Sequence, residues 1–164
     1  MRIPLQVIEA VREVWPTTKT LGVRVSATDW VVGGWDVEQT IAFGSAAAER
    51  GVDFIDVSSG GLSPDQEIAA DPGYQIGFAA RIKAETGLTT LAVGMISYPA
   101  QAETIIRSGQ ADMVALARGM LYDPSWTWHA AGALHASAAY PPQYARAHPT
   151  LIGSPVPGNP PKPK

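Results

Sequence analysis

The chain has 164 residues, 46% of them hydrophobic and 16% charged, which is enough apolar side chain for one domain with its own core and too little charge for a disordered polymer. Its formal net charge of −3, with lysine and arginine scattered, leaves no electrostatic footprint for nucleic acid or an anionic membrane as partner. The absence of cysteine excludes a disulfide framework, a zinc knuckle and a thiol nucleophile.

Residues 4–15 place apolar side chains at Leu5, Val7, Ile8, Ala10, Val11 and Val14, the stripe of a helix with Pro4 in its first turn. Glu9, Arg12 and Glu13 interrupt it, unlike the core of a signal peptide, and no later run reaches membrane-spanning length; a cytoplasmic location is expected. "TLGVRVSATD" (residues 20–29) alternates as a strand does, and Gly33 and Gly34 mark a loop. A helix is predicted over about 37–50, capped by Asp36 and stopped by Gly51. The pattern then repeats. "VDFIDVSSGG" is a second strand, "GYQIGFAARIKAETG" a helix ending at Gly87, "TTLAVGMI" a third strand, "YPAQAETIIRSG" a helix ending at Gly109, and "DMVALAR" a fourth strand. A fourth strand-following helix is predicted over about 124–134.

Strict alternation with strands this apolar implies an α/β fold whose parallel sheet is covered on both faces or closed into a barrel. A doubly wound sheet would carry G-x-G-x-x-G in its first strand–helix turn, and neither that run nor a G-x-x-x-x-G-K loop is present. The polar and glycine-rich features instead follow each strand: residues 26–29, 58–61, 94–97, and Arg118 with Gly119. A (β/α)8 barrel keeps its active site at that end, but needs eight strand–helix units in roughly 250 residues, and four are present here.

The strings "GVRVSATDWVVGGWD", "GVDFIDVSSGG", "PGYQIGFAARIKAETGLTTLAVGMI", "ADMVALARGMLYDP" and "PPQYARA", in this order, resemble the C-terminal half of the Old Yellow Enzyme family of FMN-dependent ene-reductases, in particular its YqjM-like or thermophilic-like branch, over residues 3–147. The resemblance implies a (β/α)8 TIM barrel of which residues 1–147 supply strands five to eight, with FMN as cofactor, NAD(P)H as reductant and a small activated alkene as substrate. It further implies that Arg118, the backbone N–H groups of Gly94 and Met95, and Ala117 hold the FMN phosphate, a demand that a guanidinium fork and backbone donors satisfy. The family usually has glycine where this chain has Ala117. An ordinary surface arginine opening a loop is the alternative for Arg118.

Alternation along "LGVRVSA" sets Gly22, Arg24 and Ser26 on one face, so Arg24 points into the barrel if the valines pack on helices. A buried arginine requires an anion; the family places the matching residue at the N1/C2 carbonyl edge of the flavin, and the alternative is an ion pair with Asp29 or Asp56. Arg146 resembles the arginine that reaches into a neighbouring subunit's active site in this branch, the alternative being a solvated charge. Trp30, Trp35, Trp126 and Trp128 read as packing or loop anchors. Ser58 and Ser59 read as loop hydrogen-bonding residues. His129, His135 and His148 lack metal-ligand spacing, and the first two suit surface or cap roles.

No catalytic residue is assigned, because the family's substrate-anchoring histidine pair, its strand-one flavin-modulating residue and its catalytic tyrosine precede the region matched. The chain therefore reads as half an enzyme, a truncated product or a fragment whose partner half lies elsewhere, with little or no ene-reduction by itself. A homo-oligomer, or a complex with a complementary N-terminal half, is expected. The competing reading is a non-catalytic half-barrel that self-associates or complements another half and at most binds a phosphorylated ligand. Residues 148–164, proline-rich, read as an extended or disordered tail.

Overall fold

The computed structural model describes residues 1–139 and 141–147, with side chains up to residue 144. The tail at 148–164, His148 and the side chain of Arg146 lie outside the described residues. Among the described residues, four parallel strands form one sheet in chain order, β1 (Gly22–Ser26), β2 (Phe54–Ser58), β3 (Thr89–Ala92) and β4 (Met113–Val114). A helix precedes β1, α1 (Arg2–Val14), and helices α2 (Val37–Ala48), α3 (Ile76–Thr86) and α4 (Pro99–Arg107) connect the strands. Strand order that never reverses distinguishes a barrel sector from a doubly wound sheet, which has a switch point. The fold is α/β, the strand–helix half of a barrel.

Local chemistry explains the element ends. Asp36 accepts from the Gln39 backbone N–H at 2.9 Å while the Gln39 side chain accepts from the Asp36 N–H at 3.1 Å, a reciprocal capping box that starts α2. Glycines at 51, 87 and 109, all left-handed, close α2, α3 and α4 as expected. Ile55, Val57, Thr90 and Ala92 are fully buried against Ala79 and Ile82 of α3 and Ile105 of α4. A second cluster of Ile8, Phe43, Ala47 and Val52 seats α1 on α2.

The opposite face of the sheet carries Gly22, Arg24, Phe54, Asp56, Leu91 and Met113 by register. Phe54 lies flat across Gly22; a Cβ there would fall 2.1 Å from Phe54 Cζ, so the cover over this end of the open face needs glycine. At the N-terminal ends of the strands two carboxylates tie the frame together. Asp53 accepts from the Leu21 backbone N–H at 2.7 Å and pairs with Arg12 at 3.0 Å, and these hold its carboxyl below the ordinary value. Asp112 sits lower than ordinary because of Lys83 at 2.8 Å and then the Thr90 backbone N–H.

One sequence expectation needs correction. The fourth strand is two residues, not the seven of "DMVALAR": after Ala115 N–H bonds to Ala92 the chain leaves the sheet and turns into a short helix, α5 (Arg118–Tyr122). The predicted helix at 124–134 is α6 (Trp126–Ala133), separated from α5 because Pro124 lacks an N–H and disfavours helical backbone at Asp123, which is extended. The stripe on α1 is only partly buried. Ile8 and Leu5 pack on the second cluster, whereas Ile3, Val7, Val11 and Val14 face outward. No described helix is long and apolar enough to cross a membrane.

Candidate functional site

A cavity of about 580 Å³ opens at the C-terminal ends of β2, β3 and β4. One wall is the loop after β3, residues 93–98, and the other is residues 115–119 with Tyr122, Asp123 and Trp126. Gly94, Met95, Ala117 and Arg118 all line it, although more than twenty residues separate the two pairs.

The loop after β3 has an unusual backbone. Gly94 has φ +131° and Met95 φ +51°, so two consecutive residues lie at positive φ and the second is not glycine. Among the described residues, neither backbone N–H has a backbone acceptor. Across the cavity, Arg118 is the first residue of α5, exposed, and forms no ion pair or side-chain hydrogen bond among the described residues. Two amides and a guanidinium, none with a hydrogen-bond partner among the described residues, thus belong to residues lining one cavity, a donor set suited to an oxyanion. Ala117 has φ −96°, a conformation open to any residue, so this position does not require glycine.

Arg24 is not among the cavity-lining residues and is not buried. Its side chain lies on the face away from the helices, as alternation requires, but is 58% exposed and donates from Nη1 to Asp56 Oδ2 at 2.6 Å. The reason is that this face of the sheet has no cover at Arg24 among the described residues. Asp56 Oδ1 is buried and has no hydrogen-bond partner among the described residues.

Sequence reasoning missed Gln75. It is 3% exposed, accepts from Ser59 Oγ at 2.6 Å and donates from Nε2 to the Val93 carbonyl at 3.0 Å. Ser59 in turn accepts from Trp30 Nε1 at 2.9 Å, which confirms loop hydrogen bonding for this serine. The only hint in the sequence was a polar residue in "PGYQIG" just ahead of an apolar helix. The tryptophans are anchors: Trp30 contacts Phe78 edge-on, Trp35 Nε1 bonds Thr40, Trp126 Nε1 bonds the Ser97 carbonyl, and Trp128 packs edge-on against Tyr144. His129 Nδ1 lies 2.6 Å from Asp123 Oδ2, and His135 takes φ +55° just past α6, a cap position. Among the described residues no group of three or more His, Cys, Asp or Glu could hold a metal. The carboxylates with lowered pKa, Asp53 and Asp112, lie at the opposite end of the strands and belong to the frame.

The family model described as "NADH:flavin oxidoreductase / NADH oxidase family" matches residues 1–136. An NADPH dehydrogenase of Bacillus licheniformis is 45% identical over 146 residues, 89% of this chain and 42% of the relative. NADPH dehydrogenases of Geobacillus thermodenitrificans and Bacillus subtilis are 43% and 40% identical over 141 residues, 86% of this chain and 41% of each relative. The chain thus spans about two fifths of the length of these curated relatives. Among solved structures, a complex of 2-naphthoyl-CoA reductase with 2-naphthoyl-CoA superposes with a TM-score of 0.69 at 21% identity, covering 77% of this chain and 20% of that one.

Proposed function

The chain belongs to the NADH:flavin oxidoreductase / NADH oxidase family, and on that premise we propose that residues 1–147 form strands five to eight of an FMN-binding barrel in an NAD(P)H-dependent ene-reductase. The observation that carries the proposal is that the positive-φ bend at Gly94 and Met95 and Arg118 line the same cavity, the amides and the guanidinium having no partner among the described residues. These groups suit a phosphate dianion: backbone donors set its position, and the guanidinium adds charge-assisted bonds. Arg24 supplies positive charge at the ring edge and Arg146 a contact across a subunit interface. Bound there, FMN supplies hydride transfer between a reduced nicotinamide and an electron-poor C=C bond. The chain's own residues bind and orient it, and donors for the substrate's developing oxyanion come from outside residues 1–147. A cytoplasmic location accompanies this reading.

A second reading is a half-barrel that binds a phosphorylated ligand without redox chemistry, by itself or beside another half. The exposure of Arg24 and its engagement by Asp56 favour it. Flavin colour in the purified chain separates the two readings.

The test of the phosphate site compares FMN with riboflavin, which lacks the phosphate. Arg118→Ala is expected to weaken FMN binding by about tenfold or more, the loss of a hydrogen bond to a charged group, and to leave riboflavin unchanged. Equal FMN affinity in parent and variant assigns Arg118 to the surface.

A further inference from the structure

The loop after β3 is held from outside itself at three carbonyls. Gln75 Nε2 donates to Val93 at 3.0 Å, the Gly73 backbone N–H donates to Gly94 at 2.9 Å, and Trp126 Nε1 donates to Ser97 at 2.9 Å. The donors come from the segment leading into α3 and from α6. With these carbonyls engaged, the amides of Gly94 and Met95 are the backbone groups of the bend left without a backbone acceptor among the described residues.

Gln75 also sets the shape of the bend. It is nearly fully buried, its carbonyl oxygen is taken by Ser59, and it packs so close to Gly94 that a Cβ there would lie 2.8 Å from Nε2 and 3.2 Å from Gln75 Cβ. A side chain fixed at both polar ends and against the backbone is a template for that backbone. Met95 at φ +51° is a conformation a non-glycine residue keeps only where its surroundings over-determine it. Trp126 acts on the far end of the loop and lines the cavity beside Arg118. Asp123 fixes where α6 begins: it accepts from the Ser125 N–H at 3.0 Å through Oδ1, from the Trp126 N–H at 3.0 Å through its carbonyl, and contacts His129 through Oδ2.

We propose that Gln75 and Trp126 are positioning residues for the anion site: Gln75 sets the bend that presents the Gly94 and Met95 amides, and Trp126 sets the distance from that bend to Arg118. Both line the cavity, and their polar ends are committed to Ser59 and to the loop carbonyls. Both act through the loop, and the inference rests on the phosphate reading above.

The experiment measures FMN and riboflavin affinity for the parent 164-residue chain, Gln75→Met and Trp126→Phe, with inorganic phosphate as competitor and a thermal melt of each protein. Gln75→Met keeps roughly the same length and removes two hydrogen bonds, and Trp126→Phe keeps an aromatic ring of smaller volume and removes one. Each is expected to weaken FMN and inorganic phosphate roughly three- to tenfold, the scale of one hydrogen bond, while riboflavin stays within about twofold. A merely structural role would weaken FMN and riboflavin together in step with the melt, and that result overturns the inference. So does unchanged FMN affinity in both variants. If Gln75→Met does not fold, Trp126→Phe decides the question. A parent that binds FMN no better than riboflavin overturns the phosphate reading itself, and the inference falls with it.

Discussion

Gly94→Ala is the substitution for which the structure supplies a worked magnitude. The new methyl carbon would sit 2.8 Å from Gln75 Nε2 and 3.2 and 3.3 Å from Gln75 Cβ and Cγ. Gln75 cannot swing aside freely, because Ser59 and the Val93 carbonyl hold its two polar ends. Overpacking of this kind costs about 1–3 kcal/mol. An L-residue held at φ +131° adds about 1–3 kcal/mol of backbone strain, so the sum is about 2–6 kcal/mol. For a chain of this size each kcal/mol lowers the melting temperature by about 2–4 °C, which gives a fall of roughly 4–24 °C. Gly33→Ala is the control: its φ is +76° and nothing lies within 4 Å of the added carbon, so only the left-handed conformation is charged, about 1–2 kcal/mol. Circular dichroism melts at one protein concentration measure both. If Gly94→Ala melts within about 2 °C of Gly33→Ala, Gln75 does not template the bend.

Among the described residues the sheet ends in two strands with unpaired edges, β1 and β4, and α1 turns Ile3, Val7, Val11 and Val14 outward, so the 164-residue chain is expected to sediment as a dimer or larger species; a monodisperse, cooperatively melting monomer contradicts this. Acid is expected to weaken the fold through Asp112 and Asp53, whose folded pKa values lie below the ordinary 3.8. Carboxylates depressed by folding contribute stability that is complete above the unfolded value and is lost as pH falls through the folded one. The melting temperature should therefore drop as pH falls below about 4, and Asp112→Asn should flatten that limb; an unchanged slope in the variant shows that the Lys83 and Thr90 contacts do not stabilise the frame.

The alternation of strands and helices was legible in the sequence because its causes are local. Asp36 with Gln39 three residues on, the glycines that stop helices at 51, 87 and 109, and the period-two pattern of "GVRVS" all act within one or two turns of chain. The end of the sheet that carries the site followed from the same local order, since the polar runs come after each strand, and Gly94, Met95, Ala117 and Arg118 do meet around one cavity. Tertiary structure decided the rest. Whether Arg24 is buried depends on what covers the far face of the sheet, and its partner Asp56, 32 residues away, is set by strand register. Gln75 reaches Val93 across 18 residues and Trp126 reaches Ser97 across 29. No pattern within a helix or strand encodes such contacts, because they exist only once parallel strands bring their C-terminal ends side by side.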